Sequence, residues 1–164
     1  HFLRRGIWEG TKPEHPKNED KKVISMKKIE IISSISEYDN QSEHRFSKKV
    51  LDSSIVDKYS FHTKSELSPW LEIDLGKSYK ICRIYIYNRD CNEVVMNRCI
   101  PLYVYSSENK IRWYLTHVER NSFGGNYSNN LKIYLYPNIY SRFIKITSTN
   151  ENYLHFKKVY VYGD

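Results

Sequence analysis

From Trp70 onward, apolar side chains return at every second position, run after run. Leu71, Ile73 and Leu75 alternate with polar residues, and Cys82, Ile84 and Ile86 alternate with Arg83, Tyr85 and Tyr87. Leu102 and Val104 alternate with Tyr103 and Tyr105, and Leu131, Ile133 and Leu135 with Lys132, Tyr134 and Tyr136. Ile144 and Ile146, then Val159 and Val161, continue the pattern. A period of two is the mark of a strand with one buried face. Turn residues separate the runs: Gly76 with Lys77, residues 106–109, residues 123–130, and Tyr136 with Pro137 and Asn138. Short strands broken by turns predict an all-β sandwich or barrel. Residues 45–51 are the one helical candidate. Leu154 and Phe156 are out of parity with Val159 and Val161, so both sets can face one core only across a bulge near Lys157 and Lys158.

Residues 1–24 differ from the rest. Residues 11–22 are charged, carry two prolines and lack an apolar period, so 1–24 is expected to be a linker or the end of a preceding segment. Residues 25–164 form one domain, since 164 residues suffice for one core and not for two ordinary domains. The net charge of +7 is spread along the chain without an arginine-rich helix or zinc-finger spacing, which argues against a nucleic-acid partner. No apolar run approaches a membrane span. Three cysteines with no CxxC pair argue against a zinc site; an oxidising compartment would allow a Cys91–Cys99 bridge.

The chain carries no GxSxG, HExxH, Walker or GxGxxG motif. Glu72 and Asp74 share a strand face beside Trp70, but a solvent-facing or structural role suits them better than paired-carboxylate catalysis. Trp70 and Trp113 are expected in the core or at its rim. The domain is thus not expected to be an enzyme by itself. Its loops carry other chemistry. His62 precedes the Trp70 strand, Arg89 and Asp90 follow the Cys82 strand, and Arg98 precedes the Leu102 strand. Directed donors beside aromatic rings suit a sugar, whose hydroxyls point in set directions and whose C–H patches pack on rings. A carbohydrate-binding rim at one end of the sandwich is the expected function.

Several stretches carry a resemblance: FHTK at 61–64, SPWLEIDLG at 68–76, IYNRD at 86–90, Arg98 and Trp113, SRFIKI at 141–146, and LHFKKVYVYG at 154–163. Together they resemble the discoidin, or coagulation-factor 5/8 type C, domain superfamily over about residues 30–163. The resemblance implies a galactose-binding-like jelly-roll β-sandwich of two antiparallel sheets. Within the superfamily the chain is most similar to the fucose-binding F-type lectins and to bacterial carbohydrate-binding modules. It implies that His62, Arg89 and Arg98 contact sugar hydroxyls, with Asp90 beside them. The partner would be a glycan of fucose or galactose type. Unlike the lectin pattern, Asp90 follows Arg89 directly, the loop to Arg98 is longer, and a single Cys91 stands where the pattern has two adjacent cysteines.

Many relatives hold a structural calcium through hard oxygen ligands. Asp52 and Asp57 are the residues that match, but Lys158 stands at the usual Glu position, so the expectation is no metal, with Lys158 acting as a built-in cation. Two other readings use the same fold. One is a protein- or membrane-surface adhesion module with Val94, Val95 and Met96 as spikes. The other is a docking domain of a larger glycan-processing enzyme, which a linker at 1–24 would suit. An extracellular or cell-surface setting is favoured.

Overall fold

A computed structural model describes residues 31–34, 49–51, 60–126 and 129–164. The linker at 1–24, Asp52, Asp57 and most of the helical candidate lie outside them; of that candidate, Lys49–Leu51 forms a 3-10 turn. Strands dominate: β1 Ile31–Ser34, β2 Phe61–His62, β3 Glu66–Leu67, β4 Trp70–Asn88, β5 Leu102–Ser107, β6 Tyr114–Glu119, β7 Leu131–Ser148, β8 Glu151–Asn152 and β9 His155–Gly163. A single turn of helix, α1, spans Glu93–Met96, and a 3-10 turn follows at Asn97–Cys99. Seven strands join in one antiparallel sheet in the order β2-β9-β4-β7-β5-β6, with β1 on β4; β3 and β8 pair separately.

The alternating runs are strands, as expected, but two of the expected turns do not end them. β4 runs for 19 residues through Gly76, and β7 for 18 residues through Pro137. The ladder between them shifts register between Asp74 and Tyr79 and again between Ile81 and Arg83. Gly76 takes a φ of 86° there, and its amide donates to the Asp74 carboxylate at 2.8 Å. Positive φ at a glycine lets a strand bend without stopping. The sheet therefore folds over. The first half of β4 pairs with β1 and the second half of β7, while its second half pairs with β9 and the first half of β7.

Both halves feed one core. Leu71, Ile73, Leu102, Val104, Ile144 and Ile146 come from one layer, and Ile84, Ile86, Ile133, Phe156, Val159 and Val161 from the other. Asp74 closes the bend with a two-pronged ion pair from Arg142, at 2.8 and 3.0 Å, which holds its carboxyl below the usual range despite the opposing effect of burial. Glu72 pairs with Lys110 at 2.6 Å. Both carboxylates thus have structural partners. Strand β6 is one the alternation did not reveal. No residue of it is fully buried, so it carries no two-residue signal.

The bulge lies where parity required it. Tyr87 pairs with Lys158 and Asn88 with Phe156, which leaves Lys157 as the extra residue. Leu154, Phe156, Val159 and Val161 are all buried as a result. Deleting Lys157 would force one of these pairs outward. At ~1.5–3 kcal/mol per buried side chain the loss is about 3–6 kcal/mol. The expected result is a melting temperature lower by about 10 °C or more in a thermal unfolding scan. Lys157→Ala, which keeps the residue count and loses only a surface ion pair, is expected to shift it by no more than about 3 °C.

Candidate functional site

Asn88, the last residue of β4, organises one end of the sandwich. It is almost fully buried, and its side-chain amide donates to the carbonyls of Met96 at 3.2 Å and Phe123 at 3.1 Å. Its side-chain oxygen accepts from the Arg89 amide at 2.8 Å, and its own amide donates to the Asn130 side chain at 3.1 Å. One side chain therefore ties the Arg89 loop to the loop around Phe123. Gly124 passes so close that a Cβ there would stand 2.7 Å from the Asn88 Cβ, and its φ of 72° suits glycine. Asn92 caps α1 by accepting from the Val95 amide at 3.0 Å.

Within this frame His62 and Arg89 meet. His62 lies on β2, opposite His155 of β9. Its Nδ1 is 2.7 Å from the Thr63 carbonyl. A carbonyl only accepts, so Nδ1 carries the proton and Nε2 is left as an acceptor. Nε2 faces an Arg89 guanidinium nitrogen at 3.3 Å. This hydrogen bond orients the Arg89 guanidinium. Arg98, on the 3-10 turn after α1, lays its guanidinium over the Tyr153 ring at 5.0 Å, and Tyr153 meets the His62 ring edge-on at 5.4 Å. The two arginines are thus linked through His62 and Tyr153.

Asp90 goes elsewhere. Its carboxylate pairs with Lys157 at 2.7 Å, which pins the Arg89 loop to the β9 bulge. Cys91 and Cys99 are not bridged to each other. The Cys91 thiol donates to the Arg89 carbonyl at 3.1 Å, and burial pushes the Cys99 thiol up to about 12. Of the three expected spikes only Val94 is exposed, while Val95 is half-buried and Met96 is buried beneath α1. Trp70 and Trp113 are half-buried on the outer face of the sheet, and neither joins the core. Parity explains Trp70: it shares the side of β4 that carries Glu72, while Leu71 and Ile73 point inward.

Lys158 is buried, at 5% exposure, and does not point to solvent. A buried ammonium beside a divalent cation would be strongly unfavourable. Of the residues that the resemblance assigns to a calcium site, Lys158 is the one described, and its charge opposes such an ion.

Three residues of the site escaped the reading of the chain: Asn88, Tyr153 and His155. Asn88 read as part of the IYNRD stretch, with nothing to mark it as a hub. Tyr153 was one of 15 tyrosines. His155 is fully buried, and among the described residues its ring nitrogens have no hydrogen-bond partner outside its own residue. Burial, then the nearby His62, Arg89 and Arg98, hold its pKa down to about 3. His155 is therefore neutral in the folded chain, whereas it titrates near 6.5 when unfolded. The unfolded chain takes up the proton first, so stability is full above about pH 6.5 and declines as pH falls toward 3. By pH 4.5 the loss from this group is about 3 kcal/mol. Denaturant midpoints measured from pH 7 to 4.5 are expected to fall more steeply for the parent chain than for His155→Leu.

Comparison with known proteins follows the architecture. The family model for the F5/8 type C domain matches residues 31–157. No curated protein matches the chain in sequence. Among solved structures, an F-lectin (fucolectin) from striped bass (Morone saxatilis) serum superposes with a TM-score of 0.71 at 17% identity. That match covers 88% of this chain and 49% of the lectin, so the chain spans about half of that protein's length. A fucose-binding module from Streptococcus pneumoniae gives 0.66 at 23% identity, covering 87% of this chain and 98% of the module. A family 32 carbohydrate-binding module from C. perfringens, solved in complex with galactose, gives 0.66 at 20% identity, covering 87% and 98%. At these identities the likeness is one of fold.

Proposed function

This chain belongs to the F5/8 type C domain family, and we propose that within it the chain acts as a non-catalytic carbohydrate-binding module with its rim at the Asn88 end of the sandwich. The observation that carries the reading is the His62–Arg89 contact at 3.3 Å, with the His62 tautomer set by the Thr63 carbonyl. An oriented guanidinium and a half-buried Tyr153 ring offer directed donors next to an apolar surface, which is what a pyranose requires. Arg98 extends the donor set from the far side of Tyr153. The structural neighbours named for fucose and galactose binding support a neutral hexose of that kind as the first ligand to try. Asp90 serves in this proposal as a brace for the Arg89 loop, through Lys157, rather than as a sugar contact. A glycan on a cell surface or in the extracellular space is the partner we infer, and a larger glycan-processing protein is a setting in which such a module would serve.

The adhesion reading keeps one observation in its favour, the exposed Val94 on α1. A single aliphatic side chain anchors a membrane weakly, so the sugar reading is preferred.

A broad glycan array tests the proposal. Specific binding by the parent chain is expected to vanish in the His62→Ala, Arg89→Ala double variant. Arg89→Ala alone is expected to weaken the best sugar by about 10- to 100-fold, the value of one or two charge-assisted hydrogen bonds. A folded parent domain that binds no glycan would refute the reading. We further propose that Lys158 supplies the charge that calcium supplies in relatives. Adding 5 mM calcium, or a chelator, is then expected to leave the melting temperature unchanged within about 1 °C.

A further inference from the structure

Away from the rim, the outer face of the β4–β7–β5 sheet gathers aromatic rings around one lysine. Trp70, Thr147 and Tyr103 are cross-strand partners in one row, and Glu72, Lys145 and Tyr105 in the next. Paired residues on neighbouring strands project to the same side. Trp113, just before β6, leans in from the edge, so that the Lys145 ammonium stands 5.4 Å from the Trp70 ring and 5.7 Å from the Trp113 ring. The Tyr103 and Tyr105 rings, on the neighbouring strand, stack with their centroids 6.4 Å apart. All five of these side chains are half-buried.

The charge pattern of this face is unbalanced at one point. Glu72 is the natural partner of Lys145, directly across the ladder, yet it is taken by Lys110 at 2.6 Å. Asp74, the next acid along, is taken by both prongs of Arg142. Among the described residues Lys145 meets ring faces and pairs with no carboxylate. An ammonium held in place by two indoles, with each neighbouring acid already neutralised, is a preset donor for an outside anion. The rings around it offer flat apolar surface for sugar C–H groups.

We propose that this face is a second ligand site, for an acidic saccharide whose sulfate or carboxylate meets Lys145 while its rings lie on Trp70 and Trp113. It shares no residue with the His62–Arg89 rim and does not depend on that rim binding sugar. The proposal is tested by calorimetric titration with three tetrasaccharides: a heparin-derived one, a galacturonic acid one and neutral maltotetraose. Binding of at least one acidic probe is expected, and none of the neutral one. A heparin-only response would identify sulfate as the anion, and a response to both would include carboxylate. Lys145→Gln is expected to weaken the responding probe tenfold or more, and Lys145→Arg to keep it within about threefold. Lys132→Gln makes the same charge change beside the Tyr85 ring on the other layer and is expected to have no such effect. Arg89→Ala is expected to leave acidic binding intact whatever it does to the rim. The proposal is overturned if no acidic probe saturates, if Lys145→Gln binds as the parent does, if Lys132→Gln loses as much, or if Arg89→Ala abolishes the binding.

Discussion

Strands β4 and β7 hydrogen-bond to each other along both layers of the molecule, from Trp70 with Thr147 at one end to Ile86 with Leu131 at the other. Neither layer could be laid down without the other, because the same two strands run through both. The bend between Gly76 and Arg83 moves the inward set from odd positions, Leu71, Ile73 and Leu75, to even ones, Ile84 and Ile86. If it gained or lost one residue, Ile84 and Ile86 would leave the core that Leu71 and Ile73 also fill. The register shifts on either side of Tyr79 accommodate the bend, and the Asp74–Arg142 pair fastens it. The Arg89 loop follows directly from the end of β4.

The candidate rim inherits its rigidity from that arrangement. Asn88 closes β4 inside the protein, where its amide would be costly if left unpaired, and so its hydrogen bonds draw separate loops together. Arg89 follows it and cannot swing far. On the opposite side the β9 bulge lets Lys157 reach Asp90. A bulge that solves a packing problem in β9 thus also braces a loop of the site. The cost is His155, buried behind His62 with no hydrogen-bond partner among the other described residues, whose neutrality keeps a third positive charge away from Arg89 and Arg98 at neutral pH.

The two outer faces of the sandwich differ in how their charges are satisfied. Arg83 lies over the Tyr162 ring at 4.4 Å and over the Tyr85 ring at 5.5 Å. Burial, followed by the hydrogen bond to Tyr134, pushes the Tyr85 hydroxyl up to about 12, so the Tyr85 phenol stays neutral at any physiological pH. On the tryptophan face the acids Glu72 and Asp74 are neutralised by Lys110 and Arg142, and among the described residues Lys145 is the cation left to ring faces. Repeated aromatics at outward positions make both surfaces, but among the described strand residues only the second carries carboxylates.

How much of this was legible in the chain depends on the range of the interaction. Alternation along a strand is local, so the strands, the inward residues and the Lys157 bulge could be read from residue order, since two apolar sets out of parity cannot share a core without an extra residue. The family resemblance brought His62, Arg89 and Arg98 forward by spacing, and the structure places the first two in contact. Where a strand lacks a buried face, as β6 does, the local signal disappears. Turn residues at Gly76 and Pro137 looked like ends because nothing nearby reveals that a partner strand continues beyond them. Partner choice is likewise non-local. Asp90 pairs with Lys157, 67 positions away, rather than joining the arginines, and Glu72 pairs with Lys110 rather than with Lys145 opposite it. The sequence by itself determined the strands, the parity of the core and the stock of donors and rings. Tertiary structure alone decided which donor each acid would take, and so which cations remain for a ligand, because that competition is settled by distances between strands and not by order along the chain.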